Sequence, residues 1–495
     1  MRFVSTRGKC VAENAAQAIT KGLAEDGGLF VPEIFPDISG EIGSMLKMDY
    51  AERAAFIIGK FLAEYDGREL YAACKSAYSL FEDGDAAPLV KIDDGLFILE
   101  LFHGPTLAFK DVALTLLPYF LRKGADICGV KDDILILVAT SGDTGKAALE
   151  GFKDKDGIKI CVFYPSEGVS DMQKLQMCTQ EGGNVKVVGV KGNFDDCQTA
   201  VKKIFTSAEI REKLKAENVV LSSANSINFG RLVPQVVYYF SAYCDLVNAG
   251  EINSGESVDF TVPTGNFGNI LAGYYAKKMG LPVGKLVCAS NSNNVLTEFF
   301  LSGTYDANRE FFKTMSPSMD ILISSNLERL IFELSGRNDE LTARRMDELK
   351  KTGKYSLSEK ERVELEKEFF ADYCDEDECT ATIRETFEEQ GYLCDPHTAV
   401  ALKAAETYVK SNACSGKTVV LSTASPYKFS QSVLRAVSGK SVKDAFLAAE
   451  KLEILSAAPV PEQISRLKEK EKRFTEIIDK ADAVNEVCAF AANKR

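Results

Sequence analysis

Through its middle, the chain alternates short apolar runs with longer segments in which apolar residues recur at helical spacing. Ile134–Ala139 (ILILVA) runs into SGDTG, and a helical pattern follows from Lys146. Ile158–Tyr164 stops at Pro165, and Val185–Val190 stops at Lys191–Gly192. Asp259–Val262 passes through Pro263 into TGNFGN and then the helix-like ILAGYYAKKMG. Leu286–Ala289 and Thr418–Leu421 are of the same kind. Runs this short, apolar on both faces, predict buried parallel strands, and their alternation with helices predicts an α/β fold.

The flanks read differently. The first eighty or so residues are mostly helical in pattern, with a turn at Asp26–Gly27–Gly28 and prolines at Pro32 and Pro36. From about Ser325 to Gln390, Glu, Lys and Arg at helical spacing predict solvated helices. Pro459 and Pro461 break a late helix, and Gln463–Ala492 reads as a charged helical tail. A chain of 495 residues exceeds one compact core. These shifts divide it into an N-terminal domain (1–85), a core (86–440) and a C-terminal helical tail (441–495). Within the core, a smaller α/β subdomain spans about 130–235 and the remainder forms a larger one. No internal repeat is present.

Composition narrows the partners. A net charge of -13 and a pI near 5.0 disfavour broad binding to nucleic acid or an anionic membrane, and leave room for a small anion held by local donors. Thirteen scattered cysteines and no leader pattern at Met1–Arg2–Phe3 fit a cytoplasmic enzyme with reduced thiols. With only His103 and His397, a zinc site is not expected, and Cys374 and Cys379 lack a second pair. No apolar run reaches the roughly 18 residues of a membrane span.

Two strand-to-helix turns carry candidate chemistry: Ser141–Gly145 and Gly265–Asn269. A helix N-terminus offers free N–H groups and the positive end of its dipole, so it receives phosphate well. Neither turn is a Walker A loop, since Thr140 and Ala147 stand where Gly and Ser or Thr are needed, and neither has G-x-G-x-x-G spacing. Each alone is also an ordinary tight connection. Together they should lie at the carboxyl edge of the sheet, where ligands bind. A third polar stretch, Ser222–Asn228 followed by Arg231, reads either as a loop with a helix cap or as a second site for a phosphate or carboxylate.

Lys110 lies in ELFHGPTLAFKD, at the head of the apolar VALTLLPYF. A lysine in such surroundings has a lowered pKa, which leaves a neutral amine able to form a Schiff base. His103 reads first as support for the Gly104–Pro105 turn, and His397 as part of a helix N-terminus capped by Asp395.

HGPTLAFKD at 103–111 closely resembles the lysine segment of threonine synthases, which use pyridoxal 5'-phosphate (PLP). Further segments resemble that family in its own order: VSTRG at 4–8, GLAEDGGLFVPE at 22–33, ATSGDTGKAA at 139–148, SANSINFGRLVPQ at 223–235, PTGNFGNILAG at 263–273, DPHTAVA at 395–401 and LSTASPYKF at 421–429. The resemblance implies a fold type II PLP enzyme: two α/β domains on largely parallel sheets, with a helical N-terminal extension and charged helical C-terminal segments. It implies Lys110 as the Schiff-base lysine and Gly265, Asn266, Phe267, Gly268 and Asn269 as the holders of the PLP phosphate. Thr423 would bond the pyridine nitrogen. Ser141, Asp143, Thr144, Asn225, Ser226, Asn228 and Arg231 would face the substrate's carboxylate and phosphate. One departure stands out: Ser425 replaces the His usual in the family's S-T-A-H-P motif.

The reaction implied is conversion of O-phospho-L-homoserine and water into L-threonine and phosphate, by γ-elimination and then β-addition of water, in a monomer or homodimer. A phospho-lyase acting on O-phosphothreonine or a related compound would share every motif. A PLP-fold binding protein without catalysis would be expected to lack the lysine or a phosphate loop, and this chain keeps both.

Overall fold

The computed structural model describes residues 1–493 except 141, 167–168, 412–413 and 415, with the backbone only for 83, 194 and 195. Two parallel sheets carry the fold. The larger has six strands in the order Phe369–Tyr373, Val283–Ser290, Val258–Pro263, Lys417–Ser422, Leu96–Glu100, Leu89–Lys91; all pairs are parallel except the last. The smaller has five, all parallel: Ile477–Ile478, Val185–Val190, Ile158–Pro165, Asp133–Ala139, Val219–Ser222.

All six apolar runs read from the sequence are strands in these sheets. Their predominantly apolar character has a physical cause: both faces of each sheet are covered. One continuous core joins Ile19 and Phe61 of the N-terminal region, Val138 and Val162 of the smaller sheet, and Val262 and Leu286 of the larger. A second core backs the larger sheet with Val420, Ala401 and Tyr408, and a third backs the smaller with Leu137, Phe163, Ile204 and Val487. Each fully buried Val or Leu in these layers contributes roughly 1.5–3 kcal/mol.

Three expectations for the flanks change. The N-terminal region holds a three-stranded antiparallel sheet, with Phe3–Ser5 between Val11–Ala12 and Phe30–Pro32, beside its helices. The acidic stretch expected to be all helix contains Phe369–Tyr373, which closes one edge of the larger sheet. The late tail is not helical throughout. Ile477–Ile478 adds an edge strand to the smaller sheet, and Ala483–Ala492 packs on that sheet's outer face. The buried Lys159 fixes that last helix by donating to the carbonyls of Ala491 (2.7 Å) and Asn493 (2.8 Å), where a cation suits the negative end of the dipole. Among the described residues no helix is long and apolar enough to cross a membrane.

Candidate active site

Neighbouring strands of the larger sheet deliver three candidate groups to one edge. Val258–Pro263 runs into Gly265–Asn269, Lys417–Ser422 into Thr423, and Leu96–Glu100 into the Lys110 loop. In the smaller sheet, the paired strands Asp133–Ala139 and Val219–Ser222 run into the SGDTG turn and the Asn225–Arg231 segment. All five lie at carboxyl ends of parallel strands, where open α/β sheets bind ligands.

Backbone pairing holds the lysine loop. Phe109 donates to the carbonyl of Thr423 (2.9 Å), Ser425 donates to that of Leu107 (3.1 Å), and Ala108 bridges Ala424. Leu107 has φ 59°, which costs an L-residue about 1–2 kcal/mol, and this pairing holds it there. Asp111 braces the turn from within, accepting from the amide (2.8 Å) and hydroxyl (2.6 Å) of Thr106. Burial pushes its carboxyl up to about 6 against those bonds. Gly104 has no room for a side chain, since a Cβ would lie 2.6 Å from Asp111. His103 joins Glu82 (2.8 Å) and Glu100 (2.7 Å) on the loop's outer side; burial opposes its charge, but the two carboxylates outweigh burial and raise its pKa. It supports the loop, as the sequence suggests.

Lys110 is buried and faces a cluster of charge. Its Nζ lies 3.5 Å from Asp143 Oδ2. Asp143 Oδ1 is 2.7 Å from Nζ of Lys428, whose side chain is wholly buried and also donates to the carbonyl of Thr106 (3.0 Å). Gln173 donates to Asp143 Oδ1 (2.9 Å) and the Ser318 hydroxyl to Oδ2 (3.3 Å). Burial lowers the Lys110 pKa, Asp143 opposes that, and Lys428 and Arg231 reinforce it. Burial also works against the Asp143 carboxylate, but Lys428, Lys110 and Gln173 outweigh it and hold the group well below the usual carboxylate range.

Expected to face the substrate's anionic groups, Asp143 instead pairs with lysines; a carboxylate here would repel an anion. Thr144 lies half-buried in the first turn of helix Asp143–Phe152. Ser141 lies outside the described residues. Thr140 organises this turn by accepting from the amides of Gly142 (3.0 Å) and Gly145 (2.8 Å).

In the Gly265–Asn269 loop, a Cβ on Gly265 would lie 2.9 Å from the carbonyl oxygen of Ser318, so this contact admits only glycine. Phe267 has φ 63° and is held by rings packed around it, Phe300 and Phe369 at 6.1 Å. Its side chain belongs to the core, and its backbone opens helix Gly268–Lys278. Asn266 is exposed, and its carbonyl accepts from the amide (3.1 Å) and side chain (3.0 Å) of Asn326. Asn269 is buried. Its Oδ1 accepts from Tyr238 (2.6 Å) and Tyr239 (3.1 Å), which leaves its Nδ2 as donor with no partner. That orphaned N–H at a helix N-terminus fits a phosphate. Asn269→Ala is expected to weaken PLP binding roughly ten-fold, since it removes one hydrogen bond to an anion, while Tyr238 and Tyr239 keep acceptors in Gln235 (3.3 Å) and the residue-269 carbonyl (3.0 Å); fluorescence titration of the cofactor-free protein measures this.

Arg231 is buried without a carboxylate partner. One Nη1 donates to the carbonyl of Ala224 (3.0 Å), Nε is unpartnered, and desolvation lowers its pKa to about 10. Such a guanidinium suits an incoming carboxylate or phosphate. Asn225 and Ser226 are half-buried on the same segment, and Ser226 reaches the phosphate loop, its Cβ 3.8 Å from where a Cβ on Gly268 would stand. Asn228 does not join them. Its amide donates to the carbonyls of Ile19 and Ser223 (3.0 Å each), and its oxygen caps helix Phe229–Asn248 through Gly230 (2.9 Å). With every donor spent and no exposed surface, it is a strut rather than a substrate contact.

Sequence reasoning passed over three groups. Lys428 stands between Tyr427 and Phe429, apolar company like that of Lys110, and that was its available signal. Ser318 links Asp143 to His397 Nε2, which accepts from the Ser318 amide (3.2 Å) while Nδ1 faces Asp395 (2.7 Å). The third is an N-terminal brace. Glu328 accepts from Thr6 (2.6 Å) and twice from Arg7 (2.9 and 2.8 Å). The same segment carries Asn326 and also Arg329, which donates to Asn326 and to the carbonyls of Phe30 and Ile227. The VSTRG segment therefore steadies the phosphate loop from behind. Glu328→Ala is expected to cost about 1–3 kcal/mol, below the roughly 3–5 kcal/mol of a fully buried ion pair because Arg7 is partly exposed, and to loosen PLP as well. Urea melts with and without cofactor check both.

Residues 85–349 match the family "Pyridoxal-phosphate dependent enzyme", residues 2–78 match "Threonine synthase N terminus", and residues 398–488 match "Threonine synthase, C-terminal". These matches and the two-sheet fold define a fold type II PLP-dependent enzyme. Threonine synthase of Pseudomonas aeruginosa is 39% identical over 96% of this chain and 95% of its own. The crystal structure of PLP-bound threonine synthase from Brucella melitensis superposes with a TM-score of 0.88 at 37% identity, covering 100% of both chains. The chain belongs to the threonine synthase family. It is also 42% identical to human "Threonine synthase-like 1" over 89% of its length, and spans 61% of that longer protein.

Proposed function

We propose that the chain binds PLP and converts O-phospho-L-homoserine and water into L-threonine and phosphate. The observation that carries the reading is a buried amine with a lowered pKa lying among two separate anion-receiving groups. One is the Gly265–Asn269 loop with its orphaned Asn269 N–H; the other is the unpaired Arg231. A reaction that needs a phosphorylated cofactor and a phosphorylated substrate needs two such places.

When bound, PLP supplies an electron sink for charge developing on the substrate carbon. The chain's own residues do the rest. Lys110 would hold the cofactor covalently, and its free amine would take the Cα proton and carry it onward. Asp143 Oδ2 is its nearest carboxylate and stabilises the ammonium so formed. Arg231, with Asn225 and Ser226, holds the substrate's anionic end while phosphate leaves. Thr423, a neutral hydroxyl at the end of Lys417–Ser422, would hold the cofactor's ring nitrogen without adding a charge to it.

The test incubates purified protein with PLP and O-phospho-L-homoserine and follows phosphate and amino-acid products by NMR. Threonine in step with phosphate supports the proposal. Phosphate accompanied by a keto acid instead points to a phospho-lyase. Ser425 bears on that outcome: where the family usually has His, it caps the turn Pro426–Phe429 through the Tyr427 amide (3.4 Å) and offers no imidazole to the pocket.

A further inference from the structure

We propose that Lys428 is a positioning residue for Lys110: by holding Asp143 in a buried ion pair, it keeps that carboxylate from fixing Lys110 as an ammonium. The inference rests on reading Lys110 as the cofactor anchor, and it concerns what sets the protonation of that amine.

The geometry is asymmetric. Lys428 is 2.7 Å from Oδ1, whereas Lys110 is 3.5 Å from Oδ2, the limit of a hydrogen bond. Each oxygen has a further donor, Gln173 on Oδ1 and Ser318 on Oδ2, so Asp143 is largely committed before Lys110 is counted. Lys428 itself is fixed. Its side chain is fully buried, a second N–H goes to the Thr106 carbonyl, and the Pro426–Phe429 turn that carries it is tied to the lysine loop by the Ser425–Leu107 bond. It therefore reaches both the carboxylate that faces Lys110 and the loop that presents Lys110.

Other charges nearby do not undo the arrangement. Arg231, from the helix opposite, adds positive charge. Asp111, next in the chain, turns its carboxyl to Thr106. His397 reaches the cluster only through the Ser318 amide. Lys110 thus sits among two buried cations and one shared carboxylate. Such a balance favours the neutral, reactive amine more than in a free lysine, yet leaves Asp143 Oδ2 in place when the amine gains a proton. Losing Lys428 would leave Lys110 as the remaining lysine on Asp143, with only the neutral donors Gln173 and Ser318 sharing that carboxylate.

The test is a pH titration of the visible absorbance of the lysine-bound cofactor in purified holoenzyme, which reads the same Lys110 nitrogen as an imine, exposed to the same charges of Asp143 and Lys428. Lys428→Met should move the midpoint up by about one unit and Asp143→Asn should move it down by about as much, while Lys428→Arg, which keeps the charge, stays within a few tenths. A purely structural role would lower thermal stability without opposite shifts. Midpoints moving the same way, or neither moving, overturn the inference. If Lys428→Met does not fold, the double variant with Asp143→Asn removes both charges and should return the midpoint toward wild type; a double variant no different from Asp143→Asn alone also overturns it. A wild-type protein with no visible band that borohydride fixes to Lys110 sinks the cofactor reading itself, and this inference with it.

Discussion

Lys110→Ala is expected to lower turnover by roughly a thousand-fold or more and to abolish covalent capture of PLP. Two losses coincide in this one side chain. The amine is the anchor, so borohydride treatment followed by peptide mapping should find cofactor on wild-type Lys110 and none on the variant. It is also the proton carrier, and removing a positioned base costs about 10²–10⁴. No neighbour replaces it. Lys428 is engaged by Asp143 and Thr106 and is fully buried, so it cannot swing into the vacated place without breaking that pair. The variant should still bind PLP non-covalently, because the Gly265–Asn269 loop and Asn269 are untouched. Persistence of a borohydride-fixed adduct elsewhere in the variant would contradict the assignment.

Arg231→Met should give the second largest effect, and it separates function from stability. Charge-assisted hydrogen bonds are each worth about 1.5–3 kcal/mol, so removing the guanidinium should raise KM for the phosphorylated substrate by roughly 10- to 100-fold. For most buried residues such a change would also lower the melting temperature. Here the reverse is expected. Arg231 is a buried charge with no carboxylate, one of its nitrogens has no partner, and its pKa is pulled down to about 10 by desolvation. Replacing it with an apolar side chain of similar length relieves that cost, so the substrate-free protein should melt at the same temperature or higher. A thermal-shift assay alongside steady-state kinetics reads both. Unchanged KM together with a lower melting temperature would mark Arg231 as a structural residue.

How much of this was legible in the sequence follows the physics of each element. The central strands were readable because strands buried on both faces are mostly apolar, with only single polar residues such as Lys159 and Asp259 among them. Phe3–Ser5, Phe30–Pro32 and Ile477–Ile478 were not, since two or three residues show no period. Phe369–Tyr373 was hidden because Glu- and Lys-rich helices flank it. At the site, Lys110 and the Gly265–Asn269 turn stood out by their apolar or glycine-rich settings. Asn228 was misplaced because an asparagine that caps a helix and one that meets a ligand look alike in sequence; only its spent donors tell them apart. The Asp143–Lys428 pair lay beyond reach for another reason: its members are 285 positions apart in sequence, and the fold alone joins them.

If this fold couples phosphate loss to threonine formation, NMR of the wild-type protein turning over O-phospho-L-homoserine with PLP in ¹⁸O-labelled water should show it. Equimolar phosphate and L-threonine are expected, with the label in the threonine hydroxyl. Phosphate released without threonine, or threonine free of the label, would contradict it.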